Sequence, residues 1–183
     1  MKGDQFLVNG VVTPVVDAPA QFVRFRLLNG SNARIYNFGF NDNRQFHQIG
    51  KDGGPLERPA PMTRLRLSTG ERAEILVVFS GEENNQVRLV SYSSELVNIN
   101  AFWNSNALDG STIDLMTIVV KAATVNAITT LPASQVSINS FQEAQAVRTR
   151  TFELDMGFFG DHENKWWKYG YESDRSDRSS GRY

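Results

Sequence analysis

The chain has 183 residues, 40% hydrophobic and 21% charged, ordinary values for one folded domain with a sizeable core and some sequence to spare. Its formal net charge of -1 gives no broad electrostatic drive toward nucleic acid or an acidic membrane surface, and no stretch approaches the roughly 18 apolar residues of a membrane span. With no cysteine and only two histidines, His47 and His162, disulfides and thiolate chemistry are excluded, and the donor set is too small for a blue-copper site or an ordinary zinc site. The opening Met1-Lys2-Gly3-Asp4 lacks the apolar core of a signal peptide, so any export signal of the intact protein is expected outside this chain.

Along the chain, the first two-thirds reads as β-structure. Asn9-Gly10 predicts a tight turn with positive φ between two extended segments. Residues 22–27 alternate, which predicts a strand with Arg24 and Arg26 toward water and Val23, Phe25 and Leu27 toward a core; Asn29-Gly30-Ser31-Asn32 then turns the chain. Residues 34–40 form a further expected strand that ends at Asn41-Asp42-Asn43. Residues 46–49 form a short one, stopped by Lys51-Asp52-Gly53-Gly54-Pro55. Residues 64–67 alternate strictly, and 73–79 are almost continuously apolar, which predicts a strand buried on both faces. Gly81 to Asn85 supplies a polar turn, and strands are expected over 86–92 and 111–121. Short strands at intervals of about 10 to 15 residues, with turn chemistry between them and no competing helical period, predict a sandwich or barrel rather than a βαβ sheet.

From about residue 122 to 146 the residues become small and polar, with Leu131-Pro132-Ala133-Ser134 and Gln142-Glu143-Ala144-Gln145, the texture of an interdomain linker containing a short helical turn. Residues 148–154 alternate again. The end of the chain, rich in Ser, Asp and Arg and without an apolar period, is expected to be disordered.

Four blocks carry a family resemblance. Gly3-Asp4 with Leu7-Val8-Asn9-Gly10, the run from Val23 to Arg34, Gln48 to Leu56, and Gly70 to Val77, in this order, resemble the opening of the second domain of three-domain multicopper oxidases. The similarity is to the group of bacterial copper oxidases, spore-coat laccases and bilirubin oxidases. It covers roughly residues 3–125, with a weaker echo at 148–156. It implies an all-β fold, a cupredoxin-like Greek-key sandwich or barrel with an extended C-terminal segment. The local chemistry agrees: Asn29 and Asn32 suit a polar corner bonded to nearby backbone, Asp52-Gly53-Gly54 a sharp reversal, and Glu71-Arg72 a charged pair orienting a connection across the sandwich.

The resemblance implies copper bound through His-X-His pairs and a His-Cys-His segment in the first and third domains, and none in the second. This chain has neither motif, so no copper ligand carries over, and no catalytic, cofactor or metal residue is assigned. The expected organisation is a cupredoxin-like domain over 1–123, an interdomain linker over 124–147, a strand resembling the approach to the third domain over 148–160, and an atypical tail over 161–183. The tail departs from the family, as a natural truncation, a frameshift or a designed fragment each would produce.

Individual residues have plain readings beside the sharper ones. His47, with no second ligand nearby in sequence, reads as a strand histidine bonded to backbone or exposed at an edge rather than a metal ligand. His162, beside Asp161 and Glu163, reads as an exposed tail residue. Glu82 and Glu83 read as solvated turn charges and Glu71 as a strand start, not as an acid–base pair. Residues 50–54 lack the spacing and the following helix of a phosphate loop. Asn29-Gly30-Ser31 fits a glycosylation acceptor, a pattern that chance supplies often. Phe102 and Trp103 read either as a contact for a neighbouring domain or partner or as a local cap on the core. Trp166 and Trp167, with Tyr169, are candidate contact residues that could cover surface left bare by a missing neighbour.

The expectation is therefore a non-catalytic, copper-free structural domain that contacts the first and third domains of its parent. The parent would couple one-electron oxidation of a substrate to reduction of oxygen, at copper in those other domains, in a periplasmic, extracellular or cell-surface setting. The alternative is a domain of a copper-less scaffold or binding protein of the same fold, for example in bacterial cell division. A third reading is an isolated sandwich that self-associates through an unpaired strand near 149–154.

Overall fold

The computed structural model describes residues 3–96, 107–139 and 141–148. The expected strand near 149–154, the tail, His162, Phe102, Trp103, Trp166 and Trp167 all lie outside the described residues. The chain divides into two compact units, Met1–Ile138 and Asn139–Tyr183. Within the second, the described part holds one 3-10 turn, Glu143–Gln145, whose entry is closed by the Gln142 amide donating to Gln145 Oε1 at 3.0 Å.

In the first unit the chain opens with a hairpin, β1 (Leu7–Val8) and β2 (Val11–Val12), turned by Asn9 at φ 51° and Gly10 at φ 83°. Both positions need positive φ, which is why this dipeptide sits there. β3 (Val15–Pro19), β4 (Phe22–Leu28), β5 (Tyr36–Phe40) and β6 (Phe46–Lys51) follow. After them come β7 (Gly54–Met62), β8 (Leu65–Leu67), β9 (Arg72–Val78), β10 (Gln86–Tyr92) and β11 (Thr112–Lys121), with 3-10 turns at Ser93–Leu96 and Ala107–Gly110. Two larger sheets result: one of five strands in the order β3-β11-β10-β5-β8, the other of four in the order β4-β9-β6-β7. Apolar side chains from both sheets join in one buried cluster. Its most enclosed members include Phe40, Phe46, Ile75, Val77, Phe79 and Ile118, none more than 1% exposed. Full burial of each is worth about 2 to 3 kcal/mol relative to exposure. Phe40 and Phe46 meet edge to face at 5.7 Å between ring centres, as do Phe25 and Phe79 at 6.4 Å.

The strand expectations for 22–27, 64–67, 86–92 and 111–121 meet β4, β8, β10 and β11 within a residue or so. In β4, Arg24 and Arg26 are exposed while Val23, Phe25 and Leu27 pack on the core. One reading needs correction. The apolar run at 73–79 is not buried on both faces: Ala73, Ile75, Val77 and Phe79 are at most 1% exposed, whereas Glu74, Leu76 and Val78 are only half-buried. Its strand is central in the four-stranded sheet, but one sheet face meets the core and the other faces outward.

Two elements carried no sequence signal. β7 contains Pro55, Pro59 and Pro61, and proline cannot donate to a ladder; it is tolerated because β7 is the outermost strand of its sheet. β3 pairs in parallel with β11, about a hundred residues later, from Val15 opposite Thr117 to Pro19 opposite Lys121. Its residues do not alternate cleanly, and only the distant partner makes them a strand.

The polar segment after β11 is bonded to both outer strands of the four-stranded sheet. The Thr124 amide and hydroxyl donate to Gln21 Oε1 (3.2 and 2.8 Å), and the Phe22 amide donates to the Ile128 carbonyl (3.2 Å). Farther on, the Gln135 amide donates to the Glu57 carbonyl (2.9 Å), and Gln135 Nε2 donates to the carbonyls of Ile49 and Leu56 (3.2 Å each). The Ile138 amide closes the series on Glu57 Oε1 at 3.0 Å. Residues 124–138 thus run as a strap from the start of β4 to β7.

Candidate functional site

Among the described residues, the polar side chains of the four blocks bond to one another. Asn29, 1% exposed, is the hub. Its Nδ2 donates to the carbonyls of Arg34 (2.7 Å) and Leu67 (3.0 Å), and its Oδ1 accepts from the amide and hydroxyl of Ser31 (3.1 and 2.6 Å). Its backbone amide donates to the Glu71 carbonyl (3.1 Å), and its carbonyl accepts from the Gly70 amide (2.8 Å). With every amide hydrogen engaged and no open surface, Asn29 in the folded domain offers nothing to a glycosylating enzyme.

Arg34 extends the network. The run at 34–40 becomes a strand only from Tyr36, because Arg34 turns inward. Its Nη1 meets Asp109 Oδ1 at 2.7 Å, its Nη2 donates to the Gly3 carbonyl at 3.0 Å, and its guanidinium lies 5.1 Å from the centre of the Phe6 ring. Both charged side chains are enclosed, at 4% and 10% exposure. Phe6 also meets Tyr36 edge to face at 6.4 Å, and burial raises the Tyr36 hydroxyl pKa, with the Arg34 charge pulling the other way. A concavity of about 280 Å³ opens beside these groups, lined among others by Gln5, Ser31, Asn32 and Tyr36. Its one charged wall residue, Arg34, is already held by Asp109. It therefore presents no nucleophile–base pair.

The third and fourth blocks meet in the same manner. Asp52 Oδ1 accepts from the Arg72 amide (2.8 Å) and faces its guanidinium (3.5 Å), at the Asp52-Gly53 turn that joins β6 to β7. Glu71 and Arg72 were expected to act as a pair across the sandwich. They act separately: the Glu71 carboxylate accepts from the Ser68 amide within its own turn, and Arg72 anchors to Asp52. Adjacent residues at a strand entry point to opposite sides, so one partner could not serve both. Hydrogen bonds thus tie the first block to the second (Gly3 to Arg34), the second to the fourth (Asn29 to Gly70 and Glu71), and the fourth to the third (Arg72 to Asp52).

Two further readings change. His47 lies on β6, an inner strand between β9 and β7; it is half-buried, with Nδ1 enclosed and without a hydrogen-bond partner, so it is neither backbone-bonded there nor at an edge. Glu82 is not simply solvated. It holds Arg44 at 2.7 Å, Arg44 also holds Asp42 at 2.6 Å, and the guanidinium rests 5.1 Å from the Phe79 ring centre. Burial by itself would raise the Asp42 pKa, but the hydrogen bonds and charge of Arg44 outweigh it and hold the carboxyl below its ordinary value. Arg24 and Arg26 share Glu74 on the outer sheet face, at 3.5 and 3.3 Å.

Among the described residues no three His, Cys, Asp or Glu side chains stand together so as to hold a metal ion. The donor chemistry does not fit the copper of the resembled family either, since the whole chain lacks cysteine and has two histidines far apart in sequence. Sequence reasoning missed Asp109 and Gln135 as anchors. Neither has a feature in the sequence that marks a side chain bonded some seventy-five to eighty-five residues upstream.

No family model matches the chain. It is similar to the cell division protein FtsP of Escherichia coli (strain K12), 39% identical over 113 residues, which is 62% of this chain and 24% of that protein. It is likewise similar to the multicopper oxidase mco of Staphylococcus haemolyticus, 38% identical over 96 residues, 52% of this chain and 22% of that protein. Among solved structures, a laccase-like multicopper oxidase, CueO from Ochrobactrum sp., superposes with a TM-score of 0.66 and 33% identity, over 80% of this chain and 30% of its own. The McoA multicopper oxidase of Aquifex aeolicus gives a TM-score of 0.67 at 28% identity, over 79% and 30%. The class of fold is thereby defined: over most of its length the chain is similar to multicopper oxidases and shares the cupredoxin-like fold of their domains. The chain spans only about a sixth to a quarter of the length of the curated relatives it matches.

Proposed function

We propose that this chain serves as the copper-free middle domain of a multicopper-oxidase-type protein, holding the first and third domains in a fixed relation. One observation carries the reading. The motif residues shared with the family spend their polar groups on one another, through Asn29, Arg34 and Asp52, and so maintain a shape. In the intact protein, substrate oxidation and oxygen reduction would occur at copper held by the other domains, in a periplasmic, extracellular or cell-surface setting. The similarity to FtsP supports a second reading, a copper-less relative that works through protein contacts in cell division.

Titration of the chain with copper(II), followed by visible absorption and by oxidase assay, tests the assignment. Neither a strong blue band nor turnover should appear, and stoichiometric binding with an intense visible band would overturn it. The reading frame around the segment separates the two readings: His-X-His and His-Cys-His motifs flanking it mean an oxidase, and their absence means a scaffold.

A further inference from the structure

Asn-Gly occurs twice in this chain, at Asn9-Gly10 and Asn29-Gly30, and the fold gives the two opposite environments. We propose that Asn9 is a site of spontaneous covalent modification, its amide converting to a carboxylate, while the fold protects Asn29 from the same reaction. In this chemistry the backbone nitrogen of the following residue attacks the asparagine Cγ. A C–N bond forms, the nitrogen gives up its proton, and the side-chain nitrogen leaves as ammonia, producing a five-membered cyclic imide. Water then opens either imide carbonyl to give aspartate or isoaspartate. The net change is amide plus water to carboxylic acid plus ammonia, with no oxidant or catalyst.

A glycine on the C-terminal side favours the attack because no side chain crowds the nitrogen. At Gly10 the space is open, with nothing within 4 Å of where a Cβ would sit. Asn9 and Gly10 are both exposed, and the Asn9 amide has no hydrogen-bond partner among the described residues. The turn closes a hairpin of only two residues a side, Leu7 opposite Val12 and Val8 opposite Val11, so local opening into the attacking geometry costs little. Gly30 is as open as Gly10, so the contrast lies in Asn29 itself. It is 1% exposed, its Nδ2 is fixed by two carbonyls, its Oδ1 by Ser31, and its backbone on both sides by Gly70 and Glu71. Release of its amide requires unfolding of that corner. At Asn9 the product would place a negative charge among the exposed apolar side chains Leu7 (60%), Val11 (54%) and Val12 (51%). In its isoaspartate form it would also lengthen the backbone at the turn and disturb the register of the hairpin.

The test is incubation of the full 183-residue chain in mildly alkaline buffer, folded and in denaturant, with mass spectrometry of the two peptides over time. In the folded protein the Asn9 peptide should acquire the amide-to-acid mass change. The Asn29 peptide should lag behind its own denatured rate by a factor of about a thousand or more, the ratio of folded to unfolded molecules in an ordinary domain. In denaturant the two should react at similar rates. Asn9→Gln, which removes the favourable ring size but keeps an amide, should abolish the change at that peptide. The proposal is overturned if Asn9 stays intact in the folded chain while reacting in denaturant, if Asn29 keeps pace with it in the folded chain, or if neither reacts unfolded.

Discussion

Asn29 shows how much one side chain holds at the residue scale. Replacing it by alanine removes the side-chain donor to the Leu67 carbonyl and one of two donors to the Arg34 carbonyl, which also accepts from the Ser31 hydroxyl at 2.9 Å. An unsatisfied buried group costs about 1 to 3 kcal/mol, so Asn29→Ala should lower the urea midpoint by an amount equivalent to about 1 to 3 kcal/mol, with little change in the slope. Asn29→Asp should cost at least as much, because it keeps the acceptor and removes both donations. Asp42 gives a prediction with a sign. Its folded pKa lies below its unfolded one, so its contribution is present above the ordinary carboxylate range and is lost as pH falls through the folded value. Asp42→Asn should therefore reduce stability at neutral pH, and the gap to the parent should close on acidification below about pH 4. Unfolding curves across that range, read for the difference between the two proteins, give the answer.

At the scale of elements, the strap at 124–138 makes its own claim. Gln135 bonds β6 and β7 through three hydrogen bonds, and its segment lies along a strand whose prolines leave it few donors of its own. Gln135→Ala should speed hydrogen exchange at the amides of Gln135 and Ile138 by about tenfold or more, since each lost hydrogen bond is worth about 1 kcal/mol and a tenfold change is about 1.4. Core amides of β9 should exchange as before. Equal exchange in variant and parent would mean that the strap is held by something other than this side chain. Elements with strict alternation or a dense apolar run (β4, β8, β9, β10 and β11) were legible as strands from their own residues, although the apolar run of β9 concealed that only one of its faces meets the core. β3 and β7 were not, because a distant parallel partner makes the first a strand and an edge position excuses the prolines of the second.

For the molecule as a whole, the Arg34–Asp109 pair joins the N-terminal segment, the corner after β4 and the turn before β11, across seventy-five positions of sequence. Breaking one side leaves a charge enclosed, so Arg34→Met should cost about 3 to 5 kcal/mol, whereas Arg34→Met with Asp109→Leu should recover a large part of that loss. Additive losses in thermal or denaturant unfolding would show that the two residues act independently.

By itself the sequence determined the class of fold, through alternation, turn dipeptides and the four blocks that resemble the multicopper oxidases. It also determined that the chain has too few donors for the copper chemistry of that family, because a count of Cys and His needs no coordinates. Only the tertiary structure decided what the blocks are for. Spacing along a chain does not say that Gly3 reaches Arg34, that Asn29 reaches Gly70, or that Arg72 turns to Asp52 and not to its neighbour Glu71. The physical reason is that a buried polar group must find a partner wherever packing puts one, and packing is a property of the whole fold.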